Sequence, residues 1–356
     1  MAAQMPAHPK DPNNRNGPRL PESVDEITAG WLTSALIVRH PGTLVAEATQ
    51  TWVIRGSGTK IALELVYESD PAGLPTSLIV KAALEEHGIP VSIRPEAFFY
   101  DIVCPQISVS TPRCVYSAHD EEPGVVVLEN LLARGCQMTD SIAGWGVDAV
   151  RDALAQLASL HVRWWGQGHV PGVPDFAGSN ALGAVLMEPG YWESCVAGPT
   201  AEYVPEPFRD REQMARWVPV LWALDNSEPR CLLHGDAHLG NTYIDADGRP
   251  GFLDWQSICA GHWGREVCYF VAGALSIEDR RTHEESLLRG YLDALAAGGA
   301  DPVPGWDEAW LSYRRHMLHG LLWFLCPTQM QPLEIINANV ERFGAAASDH
   351  QVDRLF

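Results

Sequence analysis

Leu232-Leu-His-Gly-Asp-Ala-His-Leu-Gly-Asn241, followed thirteen residues later by Asp254-Trp-Gln256, is the stretch that decides the fold. It begins in an apolar run typical of a buried strand and then becomes polar and glycine-containing, as a loop does. The residues from Thr242 to Asp254 read as two short strands that turn at Asp247-Gly248, which predicts a β-hairpin. A hairpin brings its two ends together, so the last residue of the loop should lie beside Asp254.

The polar residues of this stretch form a set suited to phosphoryl transfer. Asp236 can accept or orient the proton of a hydroxyl group, and Asn241 and Asp254 offer the hard oxygen atoms that Mg²⁺ prefers. His234 and His238 are four residues apart, as in some zinc hydrolases. The glycines around them disfavour a helix that would aim both rings at one ion, so we expect His234 to support the loop backbone.

The charge balance of the chain excludes some classes of partner. The 356 residues carry 25 Lys and Arg against 45 Asp and Glu, a net charge of -20. Such a surface repels nucleic acid and anionic membranes, because both present phosphates. The eight cysteines lack the spacing of a metal or disulfide motif and no signal segment opens the chain, which indicates reduced thiols and a cytoplasmic protein. No apolar stretch is long enough to predict a membrane span.

The first third of the chain reads as a tail followed by a β-rich domain. Residues 1–20 lack periodicity and are predicted to be disordered, and a short helix capped by Ser23 is predicted up to Ile37. A second helix is expected to begin near Pro95, with Ile102 on its apolar side. The strands predicted in this part are Leu44 to Ile54, Ile61 to Tyr67, Ser77 to Ala82 and Gly124 to Asn130.

After residue 130 helical periodicity dominates. His161 shares one helical face with Val150, Leu154 and Leu157 and is expected to be a satisfied core histidine. We therefore expect an α+β fold, with a β-rich domain over residues 21–128 and a larger helical domain, containing the hairpin, over residues 129–356. Further helices are predicted near residues 208–224, 264–276, 283–297 and 307–324.

Two features of the β-rich domain could contact a phosphate. Lys81 lies inside an apolar strand, where an unpaired charge would be costly to bury. Arg55-Gly-Ser-Gly-Thr59 connects two strands, and its glycines could either contact a phosphate or form an ordinary hairpin turn. This segment does not match the phosphate-binding loop of nucleoside triphosphatases, Gly-x-x-x-x-Gly-Lys-Ser/Thr.

Taken together, these motifs resemble the aminoglycoside phosphotransferase superfamily and, among its branches, the ecdysteroid-kinase-like, choline-kinase-related small-molecule kinases. The resemblance runs in order over residues 25–330 and implies a protein-kinase-like bilobal fold, with a small β-rich lobe and a larger helical lobe. It also implies ATP with Mg²⁺ as the donor and a small-molecule hydroxyl group as the acceptor. The segments that carry it are Leu78 to Lys81, Arg94 to Tyr100, Thr111 to Cys114, Val127 to Leu131, Leu157 to His161, His234 to Asn241 and Asp254 to Gln256.

The same resemblance assigns roles to individual residues. Asp236 would be the catalytic aspartate, and Asn241 and Asp254 would be the metal ligands. Lys81 would contact the nucleotide phosphates. The other residues implied to bind the nucleotide are Gly56, Ser57 and Gly58 at the phosphates, Glu129 and Leu131 near the adenine through backbone groups, and Glu96 as the partner of Lys81.

The partner of Lys81 has alternatives. Glu96 follows Pro95 directly, so the helix that should carry it begins there. Glu85 and Glu86 stand closer to Lys81 in the sequence and remain candidates. The glycine turn is also shorter than the loop usual in the superfamily, which leaves its contact with the phosphates open.

The acceptor is the least specified part of the prediction. Thirteen tryptophans are many for this length, and an aromatic pocket would favour a bulky apolar or aromatic alcohol. Acidic lining would instead suit an amino sugar or a quaternary amine. One alternative is therefore an antibiotic phosphotransferase, acting on aminoglycosides or macrolides. A second alternative, of another class, is a nucleotide-binding pseudokinase without turnover. The tryptophans predicted to fall in the acceptor domain are Trp164, Trp165, Trp263, Trp306 and Trp323.

Overall fold

The chain folds into two compact units. The first, which we call the sheet unit, comprises the residues up to Phe98 together with Arg113–Asn130. The second, the helical unit, comprises Phe99–Pro112 and Leu131–Phe356. The α+β class, with a β-rich first part and a helical second part, is confirmed. The computed structural model describes residues 17–56, 58–84, 92–119, 123–167, 171–173, 187–226, 229–326, 328 and 330–356.

The division between the units differs from the boundary expected at residue 128. Residues 99–112 were expected in the β-rich domain but belong to the helical unit. At the start of the chain, residues 1–16 lie outside the described residues, whereas part of the expected tail makes defined contacts. Arg19 pairs with Glu22 and Glu26, and its carbonyl oxygen accepts a hydrogen bond of 2.9 Å from the indole of Trp31.

The sheet unit contains one antiparallel sheet. Its strands are β1 (Leu44–Ile54), β2 (Thr59–Ser69), β3 (Ser77–Ala82), β4 (Cys114–Ala118) and β5 (Val125–Glu129), and its helices are α1 (Ala29–Leu36) and α2 (Arg94–Phe98). The strand order is β1-β2-β3-β5-β4, so β3 lies in the middle. Leu78 and Val80 belong to the apolar core that includes α1. Because side chains alternate along a strand, Lys81 lies on the opposite face of the sheet.

Two of the predicted helices differ in detail. The first begins at Ala29, because Thr28 caps it by accepting a hydrogen bond of 3.2 Å from the backbone N–H of Trp31. Ser23, the predicted cap, precedes a 3₁₀ turn and makes no capping bond with its side chain. The second continues beyond Phe98 as a π-helix, whose wider turn rotates Ile102 away from the predicted apolar side, so that it is 43% exposed.

The described part of the helical unit contains seven helices and two small sheets. Its helices are α3 (Val147–Arg163), α4 (Pro189–Ala197), α5 (Arg211–Asp225), α6 (Trp263–Ala274), α7 (Ile277–Gly298), α8 (Trp306–Phe324) and α9 (Leu333–Asp349), and its strands are β6 (Gln137–Met138), β7 (Arg230–Leu233), β8 (Thr242–Ile244), β9 (Pro250–Phe252) and β10 (Cys259–His262). The predicted hairpin is β8–β9, and β7 pairs with β10. Helix α6 is buried along its whole length. Among the described residues, no helix is long and apolar enough to cross a membrane.

Candidate active site

Strand β7 delivers the chain into the loop that carries Asp236. Its last three residues, Cys231–Leu233, are fully buried, so the start of the loop is fixed in the core. Gly235 has a φ of +87°, and a Cβ atom there would lie 1.9 Å from the carbonyl oxygen of Ser257. Both its conformation and the close approach of Ser257 require glycine at this position.

The backbone of this loop is held by hydrogen bonds to the carboxylate of Glu266, in α6. Its carboxylate accepts hydrogen bonds from the backbone N–H groups of His234, at 3.1 Å, and Gly235, at 2.7 Å. The Nε2 atom of His161 lies 2.8 Å from the same carboxylate. Burial alone would raise the pKa of Glu266, but the hydrogen bond and charge of His161 outweigh it and lower the pKa. The carboxylate is therefore held ionised, as the fixed point on which the loop is built.

His161 connects this anchor to a second helix. It lies in α3 with its side chain fully buried, and its Nδ1 atom lies 2.6 Å from the hydroxyl group of Tyr291 in α7. The expectation of a satisfied core histidine is confirmed. Its position under Glu266 gives it a further role, because it fixes the carboxylate that holds the loop.

His234 supports the loop as expected. Its Nε2 atom lies 3.0 Å from the carbonyl oxygen of Leu253, which can only accept, so Nε2 carries the proton. Its Nδ1 atom accepts a hydrogen bond of 3.3 Å from the backbone N–H of Asp236. Burial lowers the pKa of His234 and keeps the ring neutral. Because both ring nitrogens are engaged, His234 is not placed to ligate zinc.

Asp236 carries the carboxylate that the sequence predicts to be catalytic. The side-chain amide of Asn241 donates to its backbone oxygen at 2.9 Å and to Oδ2 at 3.2 Å. The hydroxyl group of Tyr269, from α6, donates to Oδ1 at 3.3 Å. The Nε2 atom of His238 lies 3.7 Å from Oδ2, and the side chain of Asp236 is still 26% exposed. The carboxylate is thus oriented by neutral donors and remains accessible to a ligand.

The hairpin β8–β9 brings Asn241 and Asp254 to its open end. Thr242 pairs with Phe252, and the backbone N–H of Leu253 donates to the carbonyl oxygen of Asn241 at 3.0 Å. Asp254 adopts a left-handed conformation with a φ of 63°, an uncommon choice for a residue with a side chain. The local prediction that the hairpin returns these two residues to one place is confirmed.

The two residues form a donor set that fits magnesium. The amide nitrogen of Asn241 is turned towards Asp236, so its oxygen is the atom left for a metal ion. The carboxylate of Asp254 offers a second hard oxygen. No group of three or more His, Cys, Asp or Glu side chains in the described part of the chain is arranged to hold a metal ion. Two oxygen ligands of this kind suit an ion that keeps several waters, as Mg²⁺ does.

In the sheet unit, the structure pairs Lys81 with Glu96. The Nζ and Oε2 atoms are 2.6 Å apart, and the two side chains are only 3% and 1% exposed. Gly58 lies next to this pair, since a Cβ atom there would be 2.8 Å from Ile93 and 3.4 Å from Cε of Lys81. Gly56 has no neighbouring atom within 4 Å of its own Cβ position.

The remaining residues expected at the nucleotide are less defined. The alternative partners Glu85 and Glu86 lie outside the described residues, as does Ser57 of the glycine turn. Glu129 ends β5, and its backbone N–H donates a hydrogen bond of 2.9 Å to the carbonyl oxygen of Arg113. The carbonyl oxygen of Leu131 accepts from the backbone N–H of Cys136 at 3.0 Å. Part of the polar backbone expected to meet the adenine is therefore already used within the protein.

Two residues of this site, Glu266 and Tyr269, are absent from the sequence prediction. Both lie in α6, a fully buried helix of mainly apolar residues. Burying a carboxylate among so many apolar residues costs free energy unless hydrogen-bond donors or positive charges pair with it. The presence of Glu266 in this helix therefore indicated a buried contact. The three partners of Glu266 lie 105, 32 and 31 residues away in the sequence, which is why the pattern alone could not name them.

The chain belongs to the phosphotransferase enzyme family, whose profile matches residues 76–309. It is a small-molecule kinase of that family. The narrower resemblance to the ecdysteroid-kinase-like branch remains a prediction. No curated protein matches the sequence closely enough to be counted as a relative.

Similar solved structures include kinases and antibiotic phosphotransferases. An ethanolamine kinase of Plasmodium vivax is 12% identical, with 84% of this chain and 82% of that chain covered and a TM-score of 0.48. The choline kinase LicA of Streptococcus pneumoniae is 15% identical, with coverage of 85% and 94% and a TM-score of 0.48. The macrolide 2′-phosphotransferase MphH of Brachybacterium faecium is 15% identical, with coverage of 84% and 91% and a TM-score of 0.40.

Proposed function

We propose that this protein transfers the γ-phosphoryl group of ATP, with Mg²⁺, to a hydroxyl group of a small molecule. The observation that carries the proposal is the geometry around Asp236. Its carboxylate is oriented on two sides by Asn241 and Tyr269 and remains partly exposed. Phosphoryl transfer asks the protein mainly for positioning and charge stabilisation, which such a rigid arrangement provides.

Asp236 is proposed to bind the acceptor hydroxyl and to receive its proton as the oxygen attacks phosphorus. Both of its oriented hydrogen bonds come from neutral donors, so neither one removes its negative charge. The nearby ring of His238, at 3.7 Å, is placed to bind the same acceptor or to shield the carboxylate. Positioned proton transfer of this kind typically contributes about 10²-fold to 10⁴-fold to a rate.

Asn241 and Asp254 are proposed to hold the magnesium ion. When bound, Mg²⁺ neutralises charge on the phosphate oxygens. The backbone bond between Leu253 and Asn241 keeps the two ligand residues in register at the end of the hairpin. The amide of Asn241 also touches Asp236, so one side chain links the metal ligand set to the proposed base.

The residues proposed to contact the nucleotide belong to the sheet unit, except Leu131, which belongs to the helical unit. Lys81 would bind the phosphates, and Glu96 would hold its ammonium group in place through their ion pair of 2.6 Å. Gly58 packs against the stem of Lys81 and Gly56 leaves open space, so the turn that contains them suits a close approach by phosphate. The backbone of Glu129 and Leu131 is proposed to meet the adenine.

An antibiotic phosphotransferase would use the same groups and differ only in the acceptor. A pseudokinase would bind nucleotide without turnover, and it would have no need for Asp236. Wild-type protein incubated with ATP, Mg²⁺ and parallel panels of amino sugars, macrolides and uncharged alcohols separates these three outcomes. Turnover with uncharged alcohols supports the proposal, and turnover confined to antibiotics supports the first alternative.

Replacing Asp236 by Asn tests the role of the carboxylate. The Asn variant should bind ATP and Mg²⁺ as the wild type does, because its shape is kept, while phosphoryl transfer falls by about 10³-fold. Nucleotide binding by calorimetry and transfer by product mass spectrometry measure the two effects. Asp247→Asn, in the exposed turn of the hairpin, is the matched control and should keep wild-type activity. Unimpaired transfer in Asp236→Asn would remove the basis of the proposal.

A further inference from the structure

The imidazole ring of His238 is held in one orientation by its own loop. His238 precedes the 3₁₀ turn Leu239–Asn241, and its Nδ1 atom accepts a hydrogen bond of 3.0 Å from the backbone N–H of Gly240. A Cβ atom on Gly240 would lie 2.6 Å from Cε1 of the ring, so the close fit of ring and backbone requires glycine there. His238 thus caps the turn that carries Asn241.

Two aromatic rings also pack against His238. The ring centroid of Phe324 lies 5.7 Å from that of His238, with an angle of 87° between the planes. The ring of Tyr269 lies at 6.3 Å and 71°. Both are edge-to-face arrangements, which aromatic pairs favour. Because the hydroxyl group of Tyr269 also donates to Asp236, this packing fixes His238 relative to the same carboxylate.

The hydrogen bond from Gly240 decides which nitrogen of the ring carries the proton. A backbone N–H can only donate, so Nδ1 is an acceptor and the single ring proton lies on Nε2. Nε2 lies on the side of Asp236, 3.7 Å from Oδ2. His238 therefore presents an N–H donor beside the proposed base.

The gap between Nε2 and Oδ2 suits one oxygen atom that is hydrogen-bonded to both. At 3.7 Å the two atoms are too far apart for a direct hydrogen bond. A hydroxyl oxygen can lie about 2.8 Å from each of them, because they are separated by less than twice that distance. The side chains of His238 and Asp236 are 13% and 26% exposed, so neither is sealed from solvent.

From this geometry, we infer that His238 is a catalytic residue whose Nε2–H binds the oxygen of the acceptor hydroxyl group while Asp236 binds its proton. This role of His238 rests on the proposed kinase function, because it takes Asp236 as the group that meets the acceptor. It is independent of the rest of the acceptor, since the contact is made with the hydroxyl group that all alcohols share.

The two contacts orient the hydroxyl group for attack. An alcohol oxygen has one proton and two lone pairs. With its proton on Asp236 and one lone pair on His238, the second lone pair is left for phosphorus. The new oxygen–phosphorus bond forms as the bond from γ-phosphorus to the bridging oxygen of ATP breaks, and the hydroxyl proton passes to Asp236 while His238 keeps its own. A neutral amino group has a single lone pair and cannot meet both His238 and phosphorus, so the site selects hydroxyl groups over amines.

Two substitutions separate this role of His238 from its capping of the turn. Asn places an oxygen where histidine has Nδ1 and is itself a favoured N-cap residue, so His238→Asn keeps the cap and removes the donor. Gln places an amide N–H close to the position of Nε2, so His238→Gln keeps a donor and loses the cap.

Phosphoryl transfer by these variants is measured from ATP with Mg²⁺ to water, as release of inorganic phosphate, and to any alcohol that the wild type phosphorylates. His238→Asn should lower kcat/KM for the acceptor by about fivefold to tenfold, as loss of one hydrogen bond does, with the Tm and the KM for ATP unchanged. His238→Gln should stay within about threefold of the wild type but show a lower Tm.

His262 provides the matched control. Its Nδ1 atom also accepts a hydrogen bond of 3.0 Å from the backbone N–H two residues further on, that of Gly264, at the start of α6. Its ring stacks on that of His316. His262→Asn makes the same chemical change in a second capping histidine and should leave phosphoryl transfer unchanged.

Nitrogen-15 NMR of protein labelled in its histidines tests the position of the proton without any turnover. The signals that His238→Asn removes should belong to a ring protonated on Nε2, and a ring protonated on Nδ1 overturns the role of His238. Full transfer by His238→Asn overturns it as well, as does an equal loss of transfer in His238→Gln. If His238→Gln does not fold, the Asn variant and the NMR spectrum decide. A wild type that transfers phosphate to neither water nor any alcohol refutes the proposed function, and the role of His238 with it.

Discussion

The two units fix their candidate catalytic groups in different ways. In the sheet unit, Lys81 is held by one ion pair with Glu96, at 2.6 Å. In the helical unit, Glu266 binds two backbone N–H groups of the loop and is itself held by His161. Glu96 orients the side chain of Lys81, whereas Glu266 fixes the backbone of the loop. Loss of Glu96 should therefore reduce the catalytic rate more than the stability, whereas loss of Glu266 should reduce the stability first.

Replacing Glu266 by Ala is expected to have the largest effect on stability. It leaves the loop N–H groups and His161 without their buried partner, and breaking a buried charged contact typically costs about 3–5 kcal/mol. Chemical denaturation measures the loss. Glu285→Ala, whose side chain is 64% exposed, is the control and should change stability by less than about 0.5 kcal/mol. Equal stability of the two variants would show that Glu266 does not anchor the loop.

Replacing Lys81 by Met should reduce kcat/KM by about 10²-fold to 10³-fold, as loss of one electrostatic contact to the reacting group does. Stability should also fall, because Glu96 is left buried without its cation. The double variant Lys81→Met with Glu96→Leu should recover stability but not activity, since it removes both buried charges. Lys60→Met, at the position paired with Lys81 on β2, is the control. Recovered activity in the double variant would contradict the assigned role of Lys81.

Acid should destabilise the helical unit more than the sheet unit. Burial lowers the pKa of His234 and His319 and lowers that of His262 to about 3, and all three lie in the helical unit. One histidine of the sheet unit, His40, has its pKa lowered in the same way. Below pH 6.5 these histidines are protonated in the unfolded chain but stay neutral in the folded protein. The free energy of unfolding therefore decreases as the pH drops, by up to about 1.4 kcal/mol per pH unit for each ring.

Hydrogen exchange resolved by peptide, between about pH 7 and about pH 5, measures this difference. His262→Gln should make the stability of the helical unit less dependent on pH. Loss of protection in the sheet unit before the helical unit would be the opposite of the expected order.

The smallest expected effect concerns Tyr269. Tyr269→Phe removes the hydrogen bond to Asp236 and should lower kcat by about fivefold, equivalent to about 1 kcal/mol, with little change in the KM for ATP. Tyr313→Phe removes a similar bond to the buried carboxylate of Glu284 and is the matched control. It should affect stability but not kcat. If both variants alter kcat equally, Tyr269 has no special role in positioning Asp236.

Features decided by neighbouring residues could be predicted from the sequence. The hairpin depends on a local turn at Gly248, which has a φ of +82°, and it places Asn241 and Asp254 as expected. Contacts between distant segments could not be derived in the same way. The sequence offered Glu85, Glu86 and Glu96 as partners of Lys81. No local pattern singles out Glu96, which meets Lys81 only in the folded chain.

Helix α9 was not predicted, although the sequence carried its signal. Ile336, Val340, Phe343 and Ala347 recur at helical spacing and are all buried in the structure. The charges and the polar asparagines between them obscured this pattern. The acceptor stays a prediction, since a count of tryptophans does not say which of them meet a ligand. Trp263, for example, lies in the core.

Transfer of the γ-phosphoryl group tests the central claim most directly. The wild-type protein, Mg²⁺ and ATP labelled with ¹⁸O in its γ-phosphoryl group are incubated with a pool of small-molecule alcohols, and the products are examined by mass spectrometry. We expect a phosphate monoester that carries the label, formed by the wild type and by Asp247→Asn but not by Asp236→Asn. A labelled ester formed equally by Asp236→Asn, or no labelled ester from any alcohol despite ATP binding, would contradict the proposal that Asp236 drives phosphoryl transfer to a hydroxyl group.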